Sequence, residues 1–360
     1  MNDPTKRPLV GLTMGDVAGI GPEVIVRGWL DPRLHAWARP IVIGDPAVLE
    51  RAAKLVAGGD AVRIQVVAAP EEAVPSRSTI PCMPVGRVGE DLTGVVPGTI
   101  DARAGRAAFA FLTTAIDLAL ARRIDAITTL PLNKQALHQA GVKHPGHTEI
   151  LAERCGAADH AMLLYLETNR SGPSEPTTEP ERRSPGLGVV HVTLHVALRR
   201  VFDLLSRESI LSKIRLADQA LRPLTGGSPP RIAVAALNPH AGEDGLFGDE
   251  EQTMIGPAVR AARAEGLDAV GPLPNDTLFH HALAGAYDAV VAMYHDQGHI
   301  ALKTVGFHRA VNVTLGLPIV RTSVAHGTAF DIAGTGRADA SSLIAAVRVA
   351  ASFSGGRWLP

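Results

Sequence analysis

Three histidines lie where a metal ion could use them. The strand-like run Leu187 to Leu194 ends in His195. The run Arg231 to Leu237 is followed by Asn238-Pro-His240, and the apolar run Ala289 to Met293 ends in Tyr294-His295-Asp296-Gln297. In a parallel α/β sheet, ligands bind beyond the carboxyl ends of the strands. Neutral imidazole is the commonest metal ligand, and three such ligands leave a coordination position open for water or substrate. Each histidine alone is as well explained by solvation or packing. Together, at equivalent strand ends, they point to a metal site. His191 shares a strand face with His195 four residues later and reads as core or as support for the site. His280, His281, His299 and His308 have no comparable placement.

Cations come next. Lys303 and Arg321 flank the strand-like run Ala310 to Leu315, which carries Asn312; together they could hold a phosphate or carboxylate, although either cation alone reads as a solvated charge. His147-Thr148, at a helix start, could add side chains beside positively polarised N–H groups, while Thr148 is equally an N-cap. The loop His326-Gly-Thr-Ala-Phe-Asp-Ile-Ala-Gly-Thr-Gly336 is rich in glycine, as suits close approach to a cofactor or a plain connector.

The elements that must carry these residues alternate between strand and helix, which predicts an α/β architecture with a largely parallel sheet. Leu9 to Met14 reads as a strand. The turn Gly15-Asp-Val-Ala-Gly-Ile-Gly-Pro-Glu23 leads into a helix over Val24 to Leu30, with Pro22 and Glu23 suited to its first turn. The glycine spacing is not GxGxxG. Further strands are expected at Ile41 to Gly44, Ile64 to Ala68 and Ala126 to Leu130. Helices are expected over Pro46 to Val56, over Asp101 to Ala121 and from Glu149, and Val74 to Gly98 reads mostly as connection. The runs Ala161 to Leu166 and Leu187 to Leu194 flank a polar stretch, Asn169 to Gly186, that has the composition of a mobile hairpin tip.

Composition narrows the class. With 46% apolar and 20% charged residues in 360, the chain reads as soluble and globular, large enough for two domains. A net charge of -1 and 4% aromatics argue against a nucleic-acid partner. The chain has no signal-peptide core and no run long enough for a membrane span, and Cys82 and Cys155 read as reduced thiols of a cytoplasmic protein.

Several ordered blocks resemble the 4-hydroxythreonine-4-phosphate dehydrogenase family, which includes phosphothreonate and phosphoerythronate dehydrogenases. The blocks are Gly15-Asp-x-Ala-Gly-Ile-Gly-Pro-Glu23, Pro131-Leu-Asn-Lys134, His144-Pro-Gly-His-Thr-Glu149, Asn238-Pro-His-Ala-Gly-Glu243, Asp276-Thr-Leu-Phe279, Ala292-Met-Tyr-His-Asp-Gln-Gly298, Thr314-Leu-Gly-Leu-Pro318 and Arg321-Thr-Ser-Val-x-His-Gly-Thr-Ala329. The resemblance spans almost the whole chain. Val17, where the family usually has proline, and the long 169–186 tip depart from it.

The resemblance implies an isocitrate/isopropylmalate dehydrogenase-like fold: two α/β domains with a cleft between them, here 1–127 plus 275–360 on the cofactor side and 128–274 for substrate, metal and dimerisation. It implies a homodimer with the site at the subunit interface, and one divalent metal (zinc, cobalt or magnesium) per subunit on His195, His240 and His295. It assigns His147, Thr148, Lys303, Asn312 and Arg321 to substrate, and Asp276 and Lys303 to catalysis. The loop carrying His326, Gly327, Thr328, Asp331 and Gly334 would bind NAD or NADP. The implied reaction is metal-dependent oxidation of 4-phosphooxy-L-threonine followed by decarboxylation. Oxidation of a phosphothreonate, phosphoerythronate or related hydroxy acid is the alternative. A three-histidine metal hydrolase would use the same ligands but leave the loop 326–336 without a role.

Overall fold

The computed structural model describes residues 7–86, 90–144, 146–168, 186–306 and 309–355. The expected tip at 169–186 lies, except for Gly186, outside the described residues. The chain divides into two compact units, one running to Ala158 and resuming over Leu317–Gly355, the other comprising Asp159–Gly316. Each is an α/β unit. Among the described residues, no helix is long and apolar enough to cross a membrane.

Among the described residues, the first unit is built on six strands: β1 (Leu9–Thr13), β2 (Arg39–Gly44), β3 (Arg63–Val66), β4 (Thr79–Pro84), β5 (Ala126–Thr129) and β12 (Val320–Ser323). They lie in the order β3-β4-β2-β1-β5-β12, all parallel. The run of apolar residues in β1 and β2 is what a strand covered on both faces requires. Side-chain caps start the flanking helices: Asp45 accepts the Val48 N–H at 2.9 Å, and Asp101 accepts the Arg103 N–H at 2.7 Å. Gly15, at φ +72°, lets the turn after β1 close on the turn after β5; a Cβ there would meet the Pro131 carbonyl oxygen at 2.3 Å.

The second unit holds β6 (Ala161–Glu167), β7 (Gly186–His191), β8 (Ile232–Ala235), β9 (Ala269–Leu273), β10 (Ala289–Ala292) and β11 (Ala310–Leu315), in the order β11-β6-β7-β10-β8-β9. Among these strands, β6 runs against the others: it pairs antiparallel with β11 and β7, while β7, β10, β8 and β9 are mutually parallel. A second apolar core, including Leu164, Val189, Val290 and Leu302, covers this sheet.

The division corrects the expected boundaries. Residues 128–158 stay with the first unit because β5 is hydrogen-bonded between β1 and β12, and helices Lys134–Gln139 and His147–Cys155 pack on helix Ala102–Leu120. Residues 275–316 belong to the second because β10 inserts between β7 and β8, and β11 pairs with β6. The expected connection Val74 to Gly98 contains β4, a strand disguised by Pro81 and Pro84.

Candidate functional site

In the second unit, β7, β10 and β8 are adjacent and parallel, so their carboxyl ends lie at one edge. Side chains knit those ends together. Thr193 donates to the Met293 carbonyl at 2.8 Å, and the Met293 N–H donates to Gln297 Oε1 at 2.6 Å. Gln297 and Asn275 both donate to the Ala236 carbonyl just beyond β8, at 2.7 and 2.8 Å. His195 and His295 are thereby brought to a ring separation of 5.7 Å. With metal–nitrogen distances of about 2 Å, two imidazoles at this separation can share one ion.

His295 opens the helix His295–Gly306 instead of merely ending a strand, and His295, His299 and Lys303 follow at spacing four on one helical face. The His299 ring stacks on His295 at 3.9 Å, and its Nδ1 lies 3.1 Å from Nε2 of buried His191. Gly298 makes room for this: a Cβ there would approach His191 Nε2 and Val189 Cγ1 at 2.5 Å each. His295 Nδ1 lies 2.6 Å from Asp296 Oδ1; as a donor there, it leaves Nε2 with the free lone pair. Burial first, then the neighbouring His299 ring, lowers His191 to about 3. Burial, then His295, lowers His299 to about 4. Both are neutral near pH 7. An open depression at this edge is lined by His295, Asp296, His299, Ile300, Lys303 and Thr304.

His240 is placed differently. Beyond β8, Glu251 accepts the Leu237 and Asn238 N–H groups at 2.8 and 2.7 Å, and the chain then enters a left-handed run from His240 to Asp244. His240 is exposed there, with its ring 6.4 Å from that of Phe247. Among the described residues, no three His, Cys, Asp or Glu side chains are gathered as metal donors. Two of the three expected ligands therefore converge, and the third lies on an exposed turn. Asp276 is exposed in the first turn of helix Asn275–Leu283. Asn312 sits half-buried on β11, and its Oδ1 has no hydrogen-bond partner among the described residues.

The first unit carries a separate polar group. Arg321, on β12, is 5% exposed and donates from Nη2 to Thr129 Oγ1 at 2.7 Å; burial lowers it to about 10, so it keeps its charge. His147 and Thr148 are half-buried in the first turn of helix His147–Cys155. Burial, then the Arg321 charge, holds His147 well below the usual histidine range against a hydrogen bond to the Leu130 backbone. The N-cap is Gly146, so the expected capping role of Thr148 is corrected and its hydroxyl is not spent on capping.

The loop His326–Gly336 follows β12 and leans on the turn after β1, where the Ile20 N–H donates to the Thr328 carbonyl at 3.0 Å. Gly327 and Asp331 are exposed, while His326, Thr328 and Gly334 are half-buried. Glu23, expected to serve its own helix start, instead reaches this loop and accepts the Gly334 and Gly336 N–H groups at 2.6 Å each.

Sequence reasoning passed over His299, Asp296, Thr129 and this role of Glu23. The i, i+4, i+8 spacing of His295, His299 and Lys303 is the signal that exposes the first, once the stretch is read as a helix.

The family model described as pyridoxal phosphate biosynthetic protein PdxA matches residues 36–350. A 4-hydroxythreonine-4-phosphate dehydrogenase of Desulfosudis oleivorans is 47% identical over 345 residues, covering 96% of this chain and 95% of its own. A D-threonate 4-phosphate dehydrogenase of Cupriavidus necator is 45% identical over 348 residues, covering 96% and 97%. The crystal structure of 4-hydroxythreonine-4-phosphate dehydrogenase from Klebsiella pneumoniae superposes with a TM-score of 0.85 at 43% identity, covering 97% of this chain and 98% of that one.

Proposed function

The chain belongs to the PdxA family and is a dehydrogenase acting on a CH–OH group, with the isocitrate dehydrogenase-like fold of that family; within it, we propose that the substrate is 4-phosphooxy-L-threonine. NAD or NADP would oxidise it to 2-amino-3-oxo-4-phosphooxybutanoate, which loses CO2 to give 3-amino-2-oxopropyl phosphate. The observation that carries this reading is the pairing of His195 with His295, the latter on the helical face that also carries Lys303, just beyond the carboxyl ends of β7 and β10, where a hydroxy acid could be polarised.

A divalent ion (zinc, cobalt or magnesium) on His195, His295 and His240 would supply Lewis-acid polarisation of the substrate hydroxyl, and the nicotinamide would take the hydride. The residues fit such an ion in part. His195 and His295 stand at a shared-ion separation, neutral imidazoles surround them, and His240 must be brought in from its exposed turn. The protein's own side chains do the rest. Asp296 orients His295, and Lys303 extends the same helical face with a positive charge for an anionic substrate group. Asn312 offers a buried amide oxygen. In the first unit, Arg321 is a desolvated fork whose charge is felt by neutral His147, and Thr148 follows His147 in the same helical turn, a group suited to phosphate. Asp276 is the proposed acid–base participant. The loop bearing His326, Gly327, Thr328, Asp331 and Gly334 is proposed to receive the dinucleotide.

A cytoplasmic homodimer is part of this proposal. Val196 and Leu198 are exposed shortly after His195 in the chain, Phe202 and Leu204 are exposed on the helix Leu198–Leu204, and Ile300 is exposed one residue after His299. Exposed apolar side chains of this size are what a subunit interface would cover. D-threonate 4-phosphate is the second reading, because relatives bearing that name are as similar as those bearing the first. Steady-state assays with both phosphorylated acids, NAD and NADP, with and without chelator, decide between them. A higher kcat/KM on the phosphothreonine compound supports the first, and no dinucleotide reduction with either removes both.

A further inference from the structure

The loop His326–Gly336 owes its shape to one helix face. Glu23 and Arg27 lie four apart on helix Gly21–Leu30 and so point the same way. Glu23 is 3% exposed; one carboxylate oxygen accepts the Gly334 N–H and the other the Gly336 N–H, both at 2.6 Å. Arg27 Nη2 donates to the Gly336 carbonyl at 2.5 Å. Farther along the loop, Gly19 packs on Thr328 so closely that a Cβ there would stand 3.0 Å from the Thr328 carbonyl oxygen. Ala329 is held at φ +44°, a conformation that a residue with a side chain adopts only when its surroundings impose it. A buried carboxylate spanning two glycine amides is a charge-assisted clamp.

We propose that Glu23 is a positioning residue for dinucleotide binding, holding the C-terminal half of the loop so that its first half, His326 to Asp331, is presented ready-made. The proposal rests on the reading of this loop as the cofactor loop. It adds that the Gly334 and Gly336 amides are committed to Glu23, so the polar contacts to cofactor come from the residues before them. A loop fixed in advance loses less conformational freedom on binding, which appears as affinity for the cofactor and not as a faster chemical step.

Glu23→Gln tests this. The amide keeps one acceptor and turns a donor toward the second N–H. In the full-length protein, the KM and calorimetric Kd for the dinucleotide should rise about tenfold, the loss of one charge-assisted bond. Substrate KM and saturated kcat should stay within about twofold, and hydrogen exchange at Gly334 and Gly336 should quicken. Unchanged cofactor affinity alongside quickened exchange overturns the positioning role. So does a parallel loss of kcat and both KM values with lowered thermal stability, which marks a general structural role. If wild type binds neither NAD nor NADP, the cofactor-loop reading itself fails and the proposal falls with it. Should Glu23→Gln not fold, Glu23→Asp keeps the charge with a shorter reach; a cofactor KM raised about threefold supports the proposal, and an unchanged one overturns it.

Discussion

Asp16 pays a visible cost for its position. It is 1% exposed, its Oδ1 accepts the Ala18 N–H at 2.8 Å, and its Oδ2 has no partner among the described residues. Burial raises its pKa to about 6, against the opposing Ala18 backbone bond. A carboxyl whose folded pKa is raised contributes stability that is complete below its ordinary 3.8 and lost as pH rises through about 6. The shift corresponds to roughly 3 kcal/mol at neutral pH. Asp16→Asn should therefore be more stable than wild type by about 2–3 kcal/mol at pH 8 and nearly equal to it at pH 4, as read by urea denaturation. A gap independent of pH would contradict the assignment. Arg321 makes a different case, because its burial demands the planar fork. Arg321→Lys should raise the KM for the phosphorylated substrate about tenfold while cofactor KM stays within about twofold in steady-state assays.

The helix His295–Gly306 is the element on which the second-unit site depends. Its docking on β7 needs the missing side chain at Gly298, where a Cβ would press on His191 and Val189. Gly298→Ala gains about 1 kcal/mol of helix propensity, yet should lose about 1–3 kcal/mol in chemical denaturation because the core is overpacked. A stabilised variant would show that the contact yields. The same helix marks the limit of what sequence conveys. Buried strands are legible as short apolar runs, and β11 is expected at Ala310 to Leu315, where it stands. Helix Ala102–Leu120 is legible as an Ala-rich run, expected over Asp101 to Ala121, with Asp101 proving to be its cap. The helix after β10 is not, because its polar start and Gly298 read as a strand end, and so His299 is left out while His195 and His295 are found. The unit boundaries escape for a related reason. They are set by which strands hydrogen-bond, β5 with β12 and β10 with β7, and such long-range pairing leaves no local pattern in the chain.

Besides the histidine pair, the second unit exposes apolar side chains at Leu198, Phe202 and Leu204. If that surface is a subunit interface, Phe202→Glu should shift the protein to monomer in sedimentation equilibrium and lower metal-dependent activity together. A fully active monomer would separate the dimer from catalysis. The most direct test of the central claim is NADH or NADPH formation from 4-phosphooxy-L-threonine by wild type and His295→Ala, each with and without added divalent metal, together with metal content. The account predicts metal-dependent reduction of the dinucleotide by wild type. His295→Ala should fold normally yet lose at least about a thousandfold in turnover, through lost metal and lost electrostatic stabilisation. Full activity in His295→Ala, or wild-type turnover indifferent to chelation, would contradict it.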